Sequence, residues 1–283
     1  MSYDRIRDEI IAYDAIAVDN LRQDIDRLTG NLVGNELVAR HREASPVLGF
    51  PDPPSVWIDS RTSALSQLQA YEWLSPIGGA RFVQLGGSGS HAIKAAIGGA
   101  REASLVTPMA EEATLARRMA EYVELRSSLR IVYAIGEELP LSNGSVDRMY
   151  GGGTLHHMEM SQGIREIGRV LAPGGRAAFV DPQLNWVYRL LEATGIRGLA
   201  REPGARCYPI KETDVYENAG GFRSVECHLS GGPIRYATVG LARVLKIRIP
   251  LALALMSQTV ETRVLETLRM RSLLGSLAVL LEK

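Results

Sequence analysis

The chain has 283 residues, 32 Lys+Arg against 32 Asp+Glu, no net charge and 46% hydrophobic side chains. That length holds one α/β domain with additions or two small domains, and that apolar fraction fills a sizeable core. Zero net charge argues against general polyanion binding, so nucleic acid is not an expected partner.

The N-terminus, MSYDRIRDEI, is charged and lacks an apolar run, so no signal peptide is expected. Residues 3–29 predict an amphipathic helix. Ile6, Ile10, Ala17, Leu21, Ile25 and Leu28 recur at near-helical spacing among charges, and Gly30 and Gly34 follow. The segment 46–54, PVLGFPDPP, reads as a proline-bearing linker. A second helix is expected over about 61–75, with Asp59 or Ser60 as N-cap and Leu65, Leu68, Tyr71 and Leu74 as its apolar members.

From Arg81 the rhythm changes. RFVQLGGSGS is a short apolar strand running into a glycine-rich turn, and after a helical stretch ASLVT is a second strand. A long helix over about 110–124 precedes LRIVYAI, a third strand, and VDRMYGG, a fourth. A helix over about 161–171 and the turn APGG lead into RAAFVDP, a fifth. Strands alternating with helices predict a parallel sheet with helices on both faces, and right-handed crossovers make it doubly wound.

Beyond Asp181 the pattern loosens. Residues 184–200 read as helical, FRSVECHL as a strand, 236–274 as mostly helical with a break at Pro250, and LAVLLEK as a last strand. Cys207 and Cys227 make no disulfide framework, which fits a reducing cytoplasm. The most apolar run, Ile249 to Met256, is far shorter than the roughly 20 residues a membrane span needs, so integral membrane association is not expected. Only four of the 32 basic residues are lysines. Arginine favours bidentate anion pairing, and a GC-rich genome gives the same bias.

The turn after the first strand is the first chemical candidate. Gly86, Gly87 and Gly89 let backbone approach a ligand, and the next helix offers free N–H groups. Ligands of open α/β sheets bind at the carboxyl ends of strands where the strand order reverses. Glycines after a strand also occur where they only make the turn. The second candidate is GEELPLSNGSVDRMYGGGTLHHM, 136–158, which sets His156 and His157 just after the fourth strand.

Together with REIGRVLAPGGRAAFVDP, 165–182, these segments resemble the class I S-adenosylmethionine-dependent methyltransferases of the small-molecule type. The E-E-L-P-L, V-D-R-M-Y, L-H-H and R-V-L-A-P-G-G segments follow that family's order and spacing over about 80–183. The resemblance implies a doubly wound, mostly parallel seven-stranded sheet. It divides the chain into an N-terminal helical lid (1–78), a core (79–183) and a helical cap insertion with the last strands (184–283). It implies S-adenosylmethionine as cofactor, held by Gln84, Gly86, Gly87, Ser88, Gly89, Ser90, Thr107, Pro108, Met109, Ile135, Gly136, Glu137, Gly151, Gly152 and Gly153. His156 or His157 would orient or deprotonate the acceptor near neutral pH, or only line the pocket.

The sequence departs from the family at three acids. The loop usually opens on Asp where Gln84 stands, a ribose-binding acid usually stands at Thr107, and an adenine-binding Asp usually stands at Ile135. A hydrogen bond to a charged group contributes about 1.5–3 kcal/mol. The departure therefore predicts weak cofactor binding, or its loss, with Thr107 pairing with one ribose hydroxyl and Thr107→Asp restoring affinity.

The expected function is methyl transfer to a small, fairly apolar molecule, in cytoplasmic biosynthesis. The alternatives are a methyltransferase-like catalyst of cyclisation, elimination or rearrangement, and a non-catalytic partner protein. Glu137 and Glu138 read either as acid/base groups or as solvated charges at a helix start. His157, Glu159 and His228 have the residue types of a two-histidine, one-carboxylate iron site, but their spacing is common by chance and no metal is expected. Tyr188, Arg206, Tyr208 and Arg235 are acceptor candidates by position. The apolar stretch 236–275, with Arg243, Arg248, Arg263, Arg269 and Arg271, reads as an acceptor pocket, a homodimer interface or a helix on a membrane surface.

Overall fold

The computed structural model describes residues 63–122, 128–185, 209–245 and 249–283. The expected helix 3–29, the linker 46–54 and nearly all of the expected helix 184–200 lie outside these residues. So do Asp59, Ser60, Tyr188, Arg206, Cys207, Tyr208 and Arg248.

In chain order the elements are α1 (Ala64–Leu74), β1 (Arg81–Leu85), α2 (Ser90–Ile97), β2 (Glu102–Val106), α3 (Ala110–Tyr122), β3 (Leu129–Val132) and β4 (Val146–Gly152). A 3-10 turn, Leu155–His157, leads to α4 (Met160–Val170), β5 (Leu171–Pro182), α5 (Glu212–Asn218) and β6 (Ser224–Ser230). Then come α6 (Pro233–Leu245), α7 (Leu251–Thr267), a 3-10 turn Arg271–Leu273 and β7 (Ser276–Glu282).

The seven strands pair in the order β3-β2-β1-β4-β5-β7-β6. The first five are parallel, and β7 runs antiparallel between β5 and β6. The sheet is the mostly parallel, doubly wound one expected. Its strands alternate sides with period two. Phe82, Tyr150, Ala178 and Leu280 enter the apolar layer under α1, α2, α3 and α7. Val83, Met149, Phe179 and Val279 enter the layer under α4 and α5.

Three sequence expectations change. The third strand ends at Val132, and Tyr133 to Ile135 leave the sheet. The fifth strand begins at Leu171, so it includes the APGG turn. The helix expected over 61–75 starts at Ala64, and its buried face carries Ser66, Gln67, Ala70, Tyr71 and Leu74, with Leu65 and Leu68 only partly buried. Polar residues face inward because they meet partners there. Ser66 Oγ lies 2.7 Å from Ser230 Oγ and 3.1 Å from Ser276 Oγ, and Ser63 Oγ is 3.1 Å from Ser230 Oγ. Each hydroxyl can both donate and accept, so the buried cluster is satisfied internally.

Tyr71 ties α1 to α2. Its hydroxyl lies 2.6 Å from His91 Nδ1 and accepts from Lys94 Nζ at 3.3 Å. Burial, and then Lys94, hold the His91 imidazole well below its ordinary pKa, so it is neutral near pH 7. Pro250 is the N-cap of α7, at the break the sequence predicts. Glu261 of α7, almost fully buried, accepts from the backbone N–H groups of Gly232, Ile234 and Arg235. It thereby caps the first turn of α6. Among the described residues no helix is long and apolar enough to cross a membrane.

At the lower end of the sheet Arg81 of β1 holds Asp147 of β4. Its Nε and terminal nitrogens donate to the two carboxylate oxygens at 2.9 and 2.7 Å, and its backbone N–H adds a bond of 2.8 Å. The Arg81 hydrogen bond holds the Asp147 carboxyl below its ordinary pKa. The stability this confers is present above the unfolded value of about 3.9 and is lost as pH falls through the lower folded value. Asp147→Asn should therefore cost about 1 kcal/mol at neutral pH, discounted for partial exposure. It should also flatten the acid limb of the stability profile, read from urea midpoints between pH 7 and pH 2.5.

Candidate functional site

Because β1 is flanked by β2 on one side and β4 on the other, the segments leaving these strands diverge and open a crevice at their carboxyl ends. A cavity of about 270 Å³ occupies it. Its floor is Leu85, Gly86 and Gly87 after β1, and Val106, Thr107, Pro108 and Met109 after β2. Ala134 to Glu137, Gly152 to Thr154, His157, Met158 and Glu112 complete the wall.

The glycine turn is built from its own side chains. Gln84 is buried; its amide donates to the Gly86 carbonyl at 2.8 Å, and its Oε1 accepts from the Ala92 N–H at 2.9 Å. An acid at this position would set a carboxylate against the Gly86 carbonyl, whereas an amide supplies the donor. Gly89 sits at φ +81°, where a Cβ would come within 2.6 Å of the Ala116 methyl. Only glycine lets α2 approach α3 so closely. Gly151 plays the same part in β4, since a Cβ there would meet the Phe179 ring at 2.5 Å.

The segment before β4 is held from α4. Arg169 donates to the carbonyls of Leu139 and Leu141 and pairs with Glu166, which accepts from the Leu139 N–H. The Arg169 hydrogen bond pulls the Glu166 carboxyl below its ordinary pKa. The spacing between GEELPLSN and REIGRV thus has a local cause: Arg169 clamps the loop that carries Gly136 and Glu137 to the cavity.

The cavity is acidic. Glu112 and Glu137 line it, and no Lys or Arg does among the described residues. Thr107, itself fully buried, accepts from the Met109 N–H at 3.1 Å and donates its hydroxyl to Glu112 Oε2. Glu137 Oε1 accepts from the Glu159 N–H at 2.9 Å. Thr154 Oγ1 donates to the Leu85 carbonyl at 2.9 Å, pinning the end of β4 to the end of β1.

The two histidines separate. His157 lines the cavity. His156 does not, and its ring packs on His157 at 3.9 Å between centroids. Asp181, at the end of β5 with no exposed side-chain surface, accepts from both the His156 N–H at 3.1 Å and the His156 Nδ1 at 2.7 Å. A buried carboxylate at Nδ1 fixes the ring orientation and favours the tautomer whose proton sits on that nitrogen.

Eleven of the expected residues come together here: Gly86, Gly87, Thr107, Pro108, Met109, Ile135, Gly136, Glu137, Gly152, Gly153 and His157. Gln84, Ser88, Gly89, Ser90, Gly151 and His156 stand outside the cavity lining. Gln84, Gly89 and Gly151 shape the backbone that lines it. Sequence reasoning missed Glu112, Thr154, Met158 and Asp181. Glu112 offered one signal, an acid in the first turn of a helix that follows a strand end. The residue types His157, Glu159 and His228 do not form a metal cluster, and no group of three such ligands occurs among the described residues.

Cys227 is the free thiol of the described residues, and burial pushes its pKa up to about 11. It is a poor nucleophile at neutral pH.

Comparison with known proteins agrees with this geometry. Residues 85–179 match the methyltransferase domain family. Uncharacterised methyltransferases of Mycobacterium tuberculosis and Mycobacterium bovis are 29% identical over 137 residues, covering 46% of this chain. The chain spans about half the length of these relatives, 53%. A geranyl diphosphate C-methyltransferase from Streptomyces coelicolor, solved with Mg2+, geranyl-S-thiolodiphosphate and S-adenosyl-L-homocysteine, has a similar fold. Its TM-score is 0.57 at 15% identity, over 78% of this chain and 75% of that one. The [4+2]-cyclase SpnF has a TM-score of 0.52 at 18% identity, over 92% of this chain and 94% of that one. Residues 85–179 thus resemble a methyltransferase domain, and the sheet built around them has the fold of the class I S-adenosylmethionine-dependent methyltransferases.

Proposed function

We propose that this chain transfers a methyl group from S-adenosylmethionine to a small, fairly apolar acceptor. The observation that carries the reading is the acidic cavity at the strand-order reversal, floored by glycine backbone and lined by Glu112 and Glu137 without a Lys or Arg among the described residues. Those carboxylate acceptors fit a ligand bearing hydroxyl, amino and sulfonium groups. They disfavour a dinucleotide, whose phosphates need N–H donors or cations. The C-methyltransferase of Streptomyces coelicolor, solved with S-adenosyl-L-homocysteine, supports the same reading.

In this reading Gly86, Gly87, Gly136, Gly152 and Gly153 present backbone to the cofactor. Pro108, Met109 and Ile135 give it apolar contact, and Thr107, Glu112 and Glu137 give it polar contact. Gln84, Ser88, Gly89, Ser90 and Gly151 hold the shape of the site. When bound, the cofactor supplies an activated methyl group, so much of the protein's task is alignment. His157, which lines the cavity, is the histidine placed to meet an acceptor, and His156, held by Asp181, packs against its ring. The segments before 79 and after 183 would cover the acceptor, and Arg235 of α6 is the acceptor candidate that the described residues include.

A second reading keeps the cavity and drops methyl transfer. The likeness to the [4+2]-cyclase extends over nearly the whole chain, which favours rearrangement or cyclisation over a purely structural role. Titration calorimetry with S-adenosylmethionine and, separately, S-adenosylhomocysteine distinguishes the two. Micromolar binding of both is expected, and no binding of either up to millimolar concentration overturns the cofactor reading.

We also propose a homodimer, in a reducing cytoplasm consistent with the free Cys227. Leu253, Met256, Val260 and Val264 are each about half exposed, on the face of α7 opposite buried Ala254, Gln258 and Glu261. Positions three and four apart form one uncharged stripe, which a two-fold contact sets against itself. Light scattering should give twice 30.9 kDa, and Val260→Glu should return the monomer. A wild-type monomer at 100 μM overturns it.

A further inference from the structure

Arg235, in the first turn of α6, is held in place without an acid to hold it. Among the described residues its guanidinium makes no ion pair and no hydrogen bond. Arg81, Arg169, Arg176 and Arg271, by contrast, each meet a carboxylate. The acid beside it, Glu261, is committed to the backbone N–H groups of Gly232, Ile234 and Arg235. What fixes the side chain is packing. The guanidinium stacks over the Tyr236 ring, 4.5 Å from its centroid. The stem lies on Gly231, where a Cβ would come within 2.6 Å of Arg235 Cδ. Tyr236 is placed in turn by Gly275, since a side chain there would strike its hydroxyl. A planar fork fixed this way and left without an anion is prepared to take one.

Topology relates this fork to the cavity. Gly152, which lines the cavity, pairs with Val180 of β5. Pro182 of β5 pairs with Ser276 of β7, and Ser276 pairs with Ser230 of β6. Gly231 therefore lies at the same end of the sheet as the cavity, three strands away from β4. At about 4.8 Å per strand, the separation is about 14 Å. Glu112 and Glu137 line the cavity and repel an anion. A long ligand is thereby oriented, with its negative end toward Arg235 and its uncharged end toward the cavity.

We propose that the methyl acceptor is an elongated monocarboxylate, anchored by its carboxylate on Arg235 with the Tyr236 ring as the platform of the guanidinium. The acceptor role rests on the methyl-transfer reading above. A guanidinium binds a carboxylate through two parallel N–H donors. Charge selects the class further. Buried Glu261 is adjacent, so one cation suits one negative charge, and a phosphate monoester, more highly charged, is the poorer match.

The test uses the full chain. S-adenosylhomocysteine is titrated first, and decanoate, decanol and decyl phosphate are then titrated in its presence. Wild type should bind decanoate about tenfold or more tighter than decanol, and at least as tightly as decyl phosphate. Arg235→Gln should bring decanoate and decanol within about twofold and leave S-adenosylhomocysteine affinity within about twofold of wild type. Arg235→Lys, which keeps the charge and loses the fork, should retain part of the preference. Circular dichroism confirms that the variants are folded, and the wild-type preference needs no variant at all. If wild type does not prefer decanoate to decanol, or if folded Arg235→Gln keeps the preference, this inference fails, while the cofactor reading stands on its own titration. Tighter binding of decyl phosphate than of decanoate overturns the monocarboxylate. If wild type binds no S-adenosylhomocysteine, the methyl-transfer reading and the acceptor role fall together, and a decanoate preference lost in Arg235→Gln still establishes the carboxylate site.

Discussion

Parallel pairing of β1 with both β2 and β4 is the constraint from which the site follows. Each parallel crossover is right-handed, so the helices after β1 and β4 pass to opposite faces. Among the described residues no helix then covers the carboxyl ends of the strands at the reversal, and backbone from four loops faces one space. The loops after β1, β2, β3 and β4 reach that space because the sheet order brings them there. Nothing in their own conformation requires it.

What keeps those loops in place is a set of polar contacts made by side chains from neighbouring elements. Gln84 closes the first turn on itself and on α2. Thr154 ties the loop after β4 to β1, and Arg169 ties the loop before β4 to α4. Asp181 holds His156 from the next strand. The walls of the cavity are therefore fixed without a ligand, which lowers the ordering cost of binding one.

The sheet was legible where the chain is locally consistent. VDRMYGG forms a strand over the residues expected, and RFVQL runs into its turn as read. Gly86, Gly87, Thr107–Met109 and Ile135–Glu137 were legible as residues of the crevice because they sit at or just past strand ends, where the position is set by topology. Glu112, Thr154 and Asp181 were not. Each works through a side chain that reaches back to an earlier or neighbouring strand, and no one-dimensional spacing records that reach. The buried face of α1 was misread for a related reason. Apolar periodicity points to Leu65 and Leu68, but Ser66 is buried because Ser230 and Ser276 meet it from far along the chain.

Helix α1 lies outside the segment that matches the family, yet it is bonded into the sheet layer. Tyr71 joins it to His91 and Lys94 at the start of α2, the helix that begins at the glycine turn. The serine cluster joins it to β6 and β7. A gene rearrangement that moved residues 85–179 alone would carry the binding loops but leave His91 and Lys94 facing an open apolar layer. The unit that inheritance can shuffle intact is thus larger than the unit that sequence similarity marks out, and its true edge is drawn by buried hydroxyls.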